Sequence, residues 1–490
     1  MAVTQADERR VLDQVETRLF IGGAWRPGAA GELAVEDPST TETLTEVADA
    51  SAQDAEDALA AAHESGAAWA GTAPRERADI IRRAYDLMIE RRDDLALLMT
   101  LEMGKPLAES AGEVTYAANF LRWYSEEAVR IDGRFTTNEA GGGRVLTMRR
   151  PVGVCLFITP WNFPLAMGTR KIGPALAAGC TSVVKPAKQT PLSMLAFAQI
   201  LEQAGVPAGV VNVITGSSSG SLMAPLIADA RVRKLSFTGS TEVGKKLIEQ
   251  SAEQVLRVSM ELGGNAPFIV FDDADLQRAV DGALLAKMRN GGEACTSANR
   301  FIVHESVAEQ FAGRLAERIG AMKAGRGTEQ GVDVGPLIDA AQLGSVERHV
   351  EDATAKGARV LCGGSRAAGP GYFFEPTVLT DVPRGADLLS EEIFGPVAPI
   401  TTFATDDEAI AMANDTEYGL VAYLFTQDID RAFGAFDALD TGMIGFNQGM
   451  VSNAGAPFGG VKQSGYGREG GPEGLDEYLE TRYVAMNSPA

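Results

Sequence analysis

Val152-Gly-Val-Cys-Leu-Phe-Ile158 is a short apolar run, and it predicts a buried strand. A helix over residues 165–179 and a strand over residues 182–185 are predicted next, and strand and helix continue to alternate to about residue 251. Short β-rich runs separated by longer helices indicate a parallel sheet that is covered on both faces. A second series begins near Pro267 and continues to about residue 445. The sequence therefore predicts an α/β fold with two such units.

The regions outside these two series have other patterns. Residues 1–18 form a polar lead-in, and residues 51–130 have the periodicity of successive packed helices. Residues 131–150, with Gly141-Gly-Gly143 near their centre, predict a hairpin that projects from the body. The tail from Gly474 onwards ends in a predicted strand, which pairs either with this hairpin or with a neighbouring subunit. A long hairpin with nothing to cover it indicates an oligomer contact.

Composition restricts the class of protein. The chain has 490 residues, enough for more than one domain, and its 45% hydrophobic and 22% charged content is typical of a soluble globular protein. A formal charge of −22 argues against nucleic acid or an anionic membrane as a partner. The four cysteines are far apart and lack metal-ligand spacing, so no metal site is predicted. No stretch predicts a transmembrane helix or a signal peptide, and we expect a cytoplasmic protein.

One cysteine is the strongest candidate for chemistry. It lies in Arg289-Asn-Gly-Gly-Glu-Ala-Cys295-Thr-Ser-Ala-Asn-Arg300, where two glycines precede it and polar residues flank it. A buried structural cysteine normally has apolar neighbours, whereas a nucleophilic cysteine needs access and donors close to its sulfur. On this segment alone, a nucleophile and a structural cysteine are equally good interpretations.

Two predicted strands end in polar segments. Pro160-Trp-Asn-Phe-Pro164 follows one strand, and its prolines fix the backbone around Asn162. The Asn162 amide is therefore either an oxyanion donor or part of a simple turn. Lys185 and Lys188 follow the next strand, where they either bind ribose and phosphate or form a solvated basic turn.

Three further segments have the residue types of a dinucleotide enzyme. Phe237-Thr-Gly-Ser-Thr-Glu-Val-Gly-Lys245 is a strand, glycine turn and helix that suits a pyrophosphate, although it lacks the usual spacing of glycines. Glu261 precedes two glycines and is either a general base or an ordinary surface glutamate. Glu391-Glu-Ile-Phe-Gly-Pro396 places a carboxylate and an aromatic ring before a turn and is not diagnostic alone.

Together, in this order and at these distances, the motifs closely resemble the NAD(P)-dependent aldehyde dehydrogenase superfamily. The combination comprises Pro-Trp-Asn-Phe-Pro, Phe-Thr-Gly-Ser, Glu-Leu-Gly-Gly, the Cys295 segment, Glu-Glu-Ile-Phe-Gly-Pro and Pro457-Phe-Gly-Gly. The resemblance extends from about Phe20 to Val484. It implies two Rossmann-like α/β domains with parallel sheets, a projecting β-hairpin and a homodimer or homotetramer. It divides the chain into a cofactor-binding domain (1–130 and 151–261), a catalytic domain (262–445) and an oligomerisation element (131–150 and 470–490), with 446–469 returning towards the substrate funnel.

The resemblance also assigns catalytic roles. Cys295 would attack the aldehyde carbon, and the Asn162 side chain with the Cys295 backbone N–H would stabilise the oxyanion. Glu261 would activate water and assist deprotonation of the thiol, and Lys171 matches a lysine that supports proton relay. Such a two-stage scheme separates hydride loss from hydrolysis.

For the cofactor, the resemblance places Lys185 on the adenosine ribose and Gly239 with Ser240 at the pyrophosphate. The remaining expected contacts are Glu392 on the nicotinamide ribose, Phe394 beside it, and Thr159, Trp161 and Leu262 along the same cleft. Relatives that prefer NAD often have glutamate at the position of Lys188. Because lysine attracts a 2′-phosphate, the sequence predicts that NADP is preferred, with NAD as the alternative.

Two arginines and a serine indicate the substrate class. Arg170 lies on the helix after Asn162, and Arg289 lies six residues before Cys295. A carboxylate is the natural partner of arginine, although both could be structural ion-pair residues. With Ser452, the pattern resembles the succinate-semialdehyde dehydrogenases of the superfamily and implies a small aldehyde that carries a carboxylate.

Three departures and two alternatives accompany this hypothesis. Ser297 stands where some relatives have a second cysteine, which removes a local disulfide, while Glu293 and Asn265 replace Gln and Lys with effects that the sequence does not decide. One alternative is a broader aldehyde dehydrogenase for glutarate semialdehyde or neutral aldehydes. The other is a catalytically silent NAD(P)-binding structural protein, against which the intact set of Cys295, Glu261 and Asn162 argues.

Overall fold

A computed structural model describes residues 3–487. It contains helices α1 Gln5–Gln14, α2 Ala52–Gly71, α3 Pro74–Glu90, α4 Arg92–Met103, α5 Leu107–Glu127, α6 Ala166–Ala178, α7 Leu192–Ala204, α8 Ser219–Ile227, α9 Thr241–Ala252, α10 Leu276–Met288, α11 Glu305–Gly320, α12 Ala340–Ala355, α13 Asp406–Asn414, α14 Ile429–Ala438 and α15 Gly471–Asp476. Short 3-10 helices cover Arg289–Gly292 and Asp387–Leu389. Within the described part of the chain, no helix is long and apolar enough to cross a membrane.

The strands are β1 Leu19–Ile21, β2 Ala24–Arg26, β3 Gly31–Glu36, β4 Thr43–Asp49, β5 Arg134–Thr137, β6 Gly143–Pro151, β7 Val154–Ile158, β8 Thr181–Lys185, β9 Val211–Val213, β10 Val232–Thr238, β11 Arg257–Glu261, β12 Ala266–Val270, β13 Ala298–His304, β14 Arg359–Cys362, β15 Thr377–Thr380, β16 Val397–Phe403, β17 Tyr418–Gly419, β18 Val421–Phe425, β19 Met443–Phe446, β20 Val461–Lys462, β21 Gly465–Tyr466 and β22 Leu479–Asn487. Most belong to two large sheets. The predicted α/β fold is therefore confirmed.

The first sheet has eight strands in the order β2-β1-β9-β8-β7-β10-β11-β21, and its centre from β9 to β11 is parallel. Alternate residues of β7 enter different cores: Phe157 packs with α5, α6 and α7, whereas Leu156 packs with α2 and α8. Successive side chains of a strand point to opposite faces of the sheet, and both faces of a parallel sheet are buried, so apolar residues are needed at successive positions. This explains why the opening run Val152–Ile158 is almost continuously apolar.

The second sheet has seven strands in the order β14-β15-β16-β13-β12-β18-β19. All of its pairings are parallel except β14 with β15. Gly263 and Gly264 lie in the connection between the last parallel strand of the first sheet, β11, and the inner strand β12 of the second. The Cys295 segment lies between α10 and β13, so both sheets contribute to the region around it.

The predicted hairpin and tail strand form one small sheet. Its order is β22-β6-β5, and β22 pairs antiparallel with β6 from Leu479↔Pro151 to Asn487↔Gly143. Of the two partners considered for the tail, the hairpin is therefore the one seen within this chain. Residues 488–490 of the expected oligomerisation element lie outside the described residues.

Four helices of the structure were not predicted: α1, α13, α14 and α15. The polar lead-in contains α1, which begins with a capping box between Thr4 and Asp7 and buries only Val11. Ion pairs at 2.8 Å, Arg10 with Asp94 and Arg326 with Glu8, attach it to the body. The helix also packs Val11 against Leu97 and Leu101, but a single buried residue gives too little periodicity to indicate a helix from sequence.

Candidate active site

The predicted cofactor residues lie at one edge of the first sheet. Strands β8, β7, β10 and β11 are adjacent and parallel, and their registers place Ile158 beside Lys185 and Thr238 beside Glu261. The segments that follow these strand ends therefore meet at the carboxyl edge, where open α/β sheets bind ligands. They carry the residues expected from the sequence: Thr159, Trp161, Asn162, Lys185, Lys188, Gly239, Ser240, Glu261 and Leu262.

A cavity of about 290 Å³ opens at this edge. Nine predicted residues line it: Trp161, Asn162, Gly239, Ser240, Glu261, Leu262, Cys295, Glu392 and Phe394. Its wall also includes Met167, Gln342 and Ser345, which sequence reasoning did not identify. The fold thus brings residues from the two sheets to one space.

The backbone before Cys295 makes a tight left-handed turn. Asn290, Gly291 and Gly292 have φ values of 56°, 60° and 79°. A Cβ at Gly292 would lie 2.2 Å from the Gly395 carbonyl oxygen, so only glycine fits there. Burial raises the pKa of the Cys295 thiol to about 12, against the opposing effect of the Arg170 cation. The thiol is therefore neutral in this state near pH 7.

The Asn162 amide is fixed rather than free to rotate. Its Nδ2 donates to the Glu293 carbonyl oxygen at 3.0 Å, and its Oδ1 accepts from the Phe163 N–H at 3.1 Å. Because an amide nitrogen has two N–H groups, one donor is left for the cavity that Asn162 shares with Cys295. The Glu293 side chain does not line this cavity, and its Oε1 accepts a hydrogen bond from the Ile338 N–H at 3.1 Å.

Glu261 is a buried carboxyl that faces the cavity. Neither of its oxygens has a hydrogen-bond partner among residues 3–487. Burial raises its pKa well above the ordinary range, and the charge of Glu469 adds to this effect. A carboxyl with a raised pKa binds a proton more readily, which suits a general base.

Arg170 and Lys171 share one carboxylate that the sequence did not reveal. The Arg170 Nε lies 2.9 Å from Glu469 Oε2, and the Lys171 Nζ lies 2.5 Å from Oε1. Lys171 also donates to the Ser236 hydroxyl at 3.0 Å, and the Arg170 guanidinium stacks 3.9 Å from the Phe458 ring centroid. The structure thus gives Arg170 the ion pair that was the structural alternative.

A second cavity, of about 460 Å³, contains Arg289 and Ser452. The Arg289 guanidinium lies over the rings of Phe163 and Tyr116, with centroid distances of 4.6 and 5.9 Å. Among the described residues it forms no ion pair, and its closest polar contact is the Met450 sulfur at 3.4 Å. Arg170 does not line this cavity. Asn162 and Cys295 line the first cavity, whereas Phe163 and Arg289, from the same two segments, line the second.

The predicted cofactor region contains two neighbouring lysines and an aromatic pair. Burial and the nearby Lys188 lower the pKa of Lys185 to about 8, while Lys188 itself is exposed. The rings of Trp161 and Phe394 meet edge to face at 5.3 Å. Neither lysine lines the cavity at Cys295, so they lie farther along the sheet edge.

Glu392 lies at the joint between the sheets. Its Oε1 accepts from the Gly264 N–H at 3.2 Å, and burial raises its pKa to about 7. Asn265 donates to the carbonyl oxygens of Leu389 and Glu391 at 3.1 and 3.3 Å, which fixes the segment carrying Glu392. Ser240 begins α9 as its N-cap, next to Gly239. No cluster of three or more metal-binding side chains occurs in the part that the structure describes.

Residues 25–484 match the aldehyde dehydrogenase family. This chain belongs to that family. The aldehyde dehydrogenase is 56% identical to succinate-semialdehyde dehydrogenase of Paenarthrobacter nicotinovorans, over 91% of this chain and 99% of that protein. It is 50% identical to the NADP(+) succinate-semialdehyde dehydrogenase of Escherichia coli K12, over 95% and 97%. Glutarate-semialdehyde dehydrogenase of Pseudomonas putida KT2440 is 49% identical, over 96% and 97%.

Solved structures agree with this assignment. An NADP-dependent enzyme of E. coli superposes with a TM-score of 0.96 at 48% identity, covering 97% of this chain and 99% of that chain. Succinate-semialdehyde dehydrogenase of Burkholderia pseudomallei superposes with a TM-score of 0.95 at 49% identity, covering 97% and 98%. The prediction of an NAD(P)-dependent aldehyde dehydrogenase is confirmed.

Proposed function

We propose that this aldehyde dehydrogenase oxidises succinate semialdehyde to succinate and prefers NADP+. The observation that supports the substrate is Arg289, a residue of the Cys295 segment that has no ion-pair partner among the described residues and lines the second cavity. A guanidinium in apolar surroundings stabilises a carboxylate strongly. Ser452 shares the cavity and supplies a hydroxyl to the same group.

The reaction begins at Cys295. Deprotonated Sγ adds to the aldehyde carbon, and the carbonyl oxygen takes the negative charge, where the Asn162 amide and the Cys295 N–H donate to it. A bound NAD(P)+ supplies the acceptor for the hydride that then leaves this carbon. The product is a thioester on Cys295, which water hydrolyses to the acid and free thiol. Glu261 removes a proton from that water, and the buried Lys171–Glu469 pair stands near Glu261 as a route for protons.

Arg170 contributes through charge in this proposal. Its cation opposes the rise that burial causes in the pKa of Cys295, and so favours the thiolate. The substrate carboxylate is assigned to Arg289 and Ser452, because these two residues share a cavity that Arg170 does not line.

The residues on the cofactor side fit NADP+. Lys185 and Lys188 form no ion pair with any residue between 3 and 487, and Lys185 is buried at the sheet edge, so both are available to ribose and phosphate. Gly239 and Ser240 place the start of α9 towards the pyrophosphate, and Glu392 and Phe394 lie where the nicotinamide half would be held. Thr159, Trp161 and Leu262 complete the cleft.

The substrate prediction is tested with Arg289→Ala. Loss of the carboxylate partner should raise KM for succinate semialdehyde about 100-fold, the usual effect of a charged hydrogen bond, and leave KM for propanal within about twofold. Arg314→Ala, at an exposed arginine of α11, is the matched control. Equal losses on both aldehydes would show that Arg289 is structural. Comparing kcat/KM for succinate semialdehyde, glutarate semialdehyde and neutral aldehydes tests the alternative of a broader aldehyde dehydrogenase. If no aldehyde gave a burst of NAD(P)H, the alternative of a catalytically silent NAD(P)-binding protein would be favoured.

The cofactor prediction is tested at Lys188. The unmodified enzyme should have the higher kcat/KM with NADP+, and Lys188→Glu should reverse the preference by about 10- to 100-fold, because the new carboxylate repels the 2′-phosphate. Lys246→Glu makes the same charge change at an exposed site of α9 and should leave the ratio unchanged. A strong preference of the unmodified enzyme for NAD+ would contradict the proposal.

The division into domains and the oligomer are also proposed here. The cofactor-binding part is assigned to 1–130 and 151–261, the catalytic part to 262–445, and the oligomer contact to 131–150 with 470–490. Exposed apolar side chains on the small sheet, Phe135, Met148, Tyr483 and Met486, support a contact with a second copy in a homodimer or homotetramer. Four free cysteines support a cytoplasmic location.

A further inference from the structure

A buried ion pair lies directly behind Asn162. Lys105 and Glu113 are each 2% exposed, and the Lys105 Nζ lies 2.6 Å from Glu113 Oε2. The same ammonium donates to the backbone carbonyl oxygen of Asn162 at 2.7 Å and lies 4.2 Å from the Phe163 ring centroid. A buried lysine is therefore bonded to the residue whose side chain faces Cys295.

Glu113 holds the other side of the same loop. Its Oε1 accepts from the Leu165 and Ala166 N–H groups at 3.0 and 3.1 Å, at the beginning of α6. The ion pair thus binds the loop at Asn162 and again at the start of the helix that follows.

A third group completes the contacts of Asn162. The Asn290 Nδ2 donates to the Asn162 carbonyl at 3.1 Å and to the Glu293 carbonyl at 2.9 Å. The Glu293 carbonyl also accepts from the Asn162 amide. The backbone of Asn162, its side chain and the segment leading to Cys295 are therefore joined in one network that includes the Lys105 ammonium.

Stability alone is a poor explanation for this pair. The free energy needed to remove two charges from water is about as large as their electrostatic attraction in the interior. Apolar residues of the same size therefore often give equal stability. Such a pair is useful where it fixes one geometry. Here the geometry that it fixes belongs to the proposed oxyanion donor, and an error of about 1 Å in a catalytic donor has a large effect on rate.

We propose that Lys105, held by Glu113, is a positioning residue that fixes the Asn162 amide for the oxyanion. The inference rests on the proposed function. Without the ammonium, the Asn162 carbonyl loses one of its two donors, and the loop after β7 can turn its amide away from Cys295. The transition state loses a donor while the ground state loses little, so kcat falls more than KM rises.

A double-mutant cycle with Lys105→Met and Asn162→Ala tests the inference. Kinetics are expressed per active site, counted by the NADPH burst. Asn162→Ala should lower kcat about 100-fold, the usual effect of removing an oxyanion donor, and Lys105→Met about 10-fold or more. If Lys105 acts through Asn162, the double variant should be no slower than Asn162→Ala alone. Losses that multiply in the double variant would overturn the inference.

Two outcomes separate this inference from the proposed function. An unchanged kcat in Asn162→Ala would overturn the oxyanion role of Asn162 and the inference with it. A large loss in Asn162→Ala together with independent effects in the cycle would overturn the inference alone. Lys105 also lines the cavity of Arg289, and a rise in KM for succinate semialdehyde without a loss of kcat on propanal would assign Lys105 to the substrate instead.

Two further variants serve if Lys105→Met folds poorly. Lys105→Arg keeps the charge opposite Glu113 and should recover part of kcat, whereas a merely structural role predicts recovery of thermal stability without recovery of kcat. Lys234→Met is the matched control, because Lys234 is fully buried and paired with Glu477 at 3.2 Å, at the tail of the chain. It should lower thermal stability and leave kcat per active site unchanged.

Discussion

Cys295 is a thiol in a site that disfavours its reactive form. Burial, together with the carboxyls of Glu392 and Glu261, raises its pKa to about 12 against the opposing charges of Arg170 and Arg289. Since the thiolate is the nucleophile, the free enzyme holds only a small reactive fraction near pH 7. The Cys295 thiol therefore needs a base or a bound cofactor to favour its deprotonation before it can react.

The rate of alkylation of Cys295 should therefore depend steeply on pH. Below the raised pKa the thiolate fraction grows with pH, so inactivation of the cofactor-free enzyme by iodoacetamide should accelerate about 10-fold per pH unit from pH 6 to pH 9. The measurement is the rate of activity loss. Cys362→Ser, at a half-buried cysteine away from the site, should give the same profile. A plateau that starts near pH 7 would show that the resting thiol is already ionised.

The sequence identified single residues better than their partners. Cys295, Asn162 and Glu261 follow from motifs because each lies at the end of a strand or in a glycine-rich turn. Glu469 and Lys105 have no such local context. Their roles depend on contacts with Lys171 and Asn162 that form only in the folded chain, so no spacing in the sequence marks them.

At the scale of elements, the strands predicted at 152–158 and 182–185 and the helix predicted at 165–179 lie within two residues of the ends of β7, β8 and α6. A strand that is buried on both faces is apolar along its whole length, and apolar residues spaced about 3.6 apart indicate the buried face of a helix. Both patterns are visible in the sequence. Helix α1 was missed because it buries a single residue, Val11. The tail strand was predicted, with the hairpin and a neighbouring subunit as alternative partners, and the structure shows the hairpin. The sequence left this choice open because pairing between distant strands is a property of the whole fold.

The turn before Cys295 should tolerate no side chain at Gly292. Alanine there would meet the Gly395 carbonyl and would also need a left-handed backbone. Overpacking with backbone strain costs about 3 kcal/mol, so Gly292→Ala should lower the thermal midpoint by roughly 3 °C in a chain of this length and abolish most activity. Gly313→Ala is the control, since a Cβ in the middle of α11 meets nothing within 4 Å. It should raise the midpoint slightly, and similar behaviour of the two variants would contradict the turn geometry.

For the whole molecule, the negative net charge opposes the approach of the proposed anionic substrate. The chain has 66 acidic against 44 basic residues, a formal charge of −22, whereas the proposed substrate is an anion. Long-range repulsion slows the approach of an anion, while Arg289 attracts it only at close range. Added salt shortens the range of this repulsion and leaves close contacts less affected.

Salt should therefore help the charged substrate alone. At saturating cofactor, raising the ionic strength from about 10 to 150 mM should increase kcat/KM for succinate semialdehyde about twofold and leave that for propanal unchanged, because the Debye length falls from ~30 to ~8 Å. The comparison is made by initial rates in buffers of constant pH. A decrease for the charged aldehyde would indicate that a local positive potential at the cavity mouth controls its approach.

The pairing of β22 with β6 has a consequence for biosynthesis. The ribosome makes β6 before the second sheet and β22 after it, so the hairpin leaves the exit tunnel long before its third strand exists. Throughout that interval β6 presents an open edge with free N–H and C=O groups, the kind of edge on which chains join wrongly. Strand β22, which is translated after the whole second sheet, is thus the one that closes this edge, and the risk of wrong pairing ends only when synthesis reaches it.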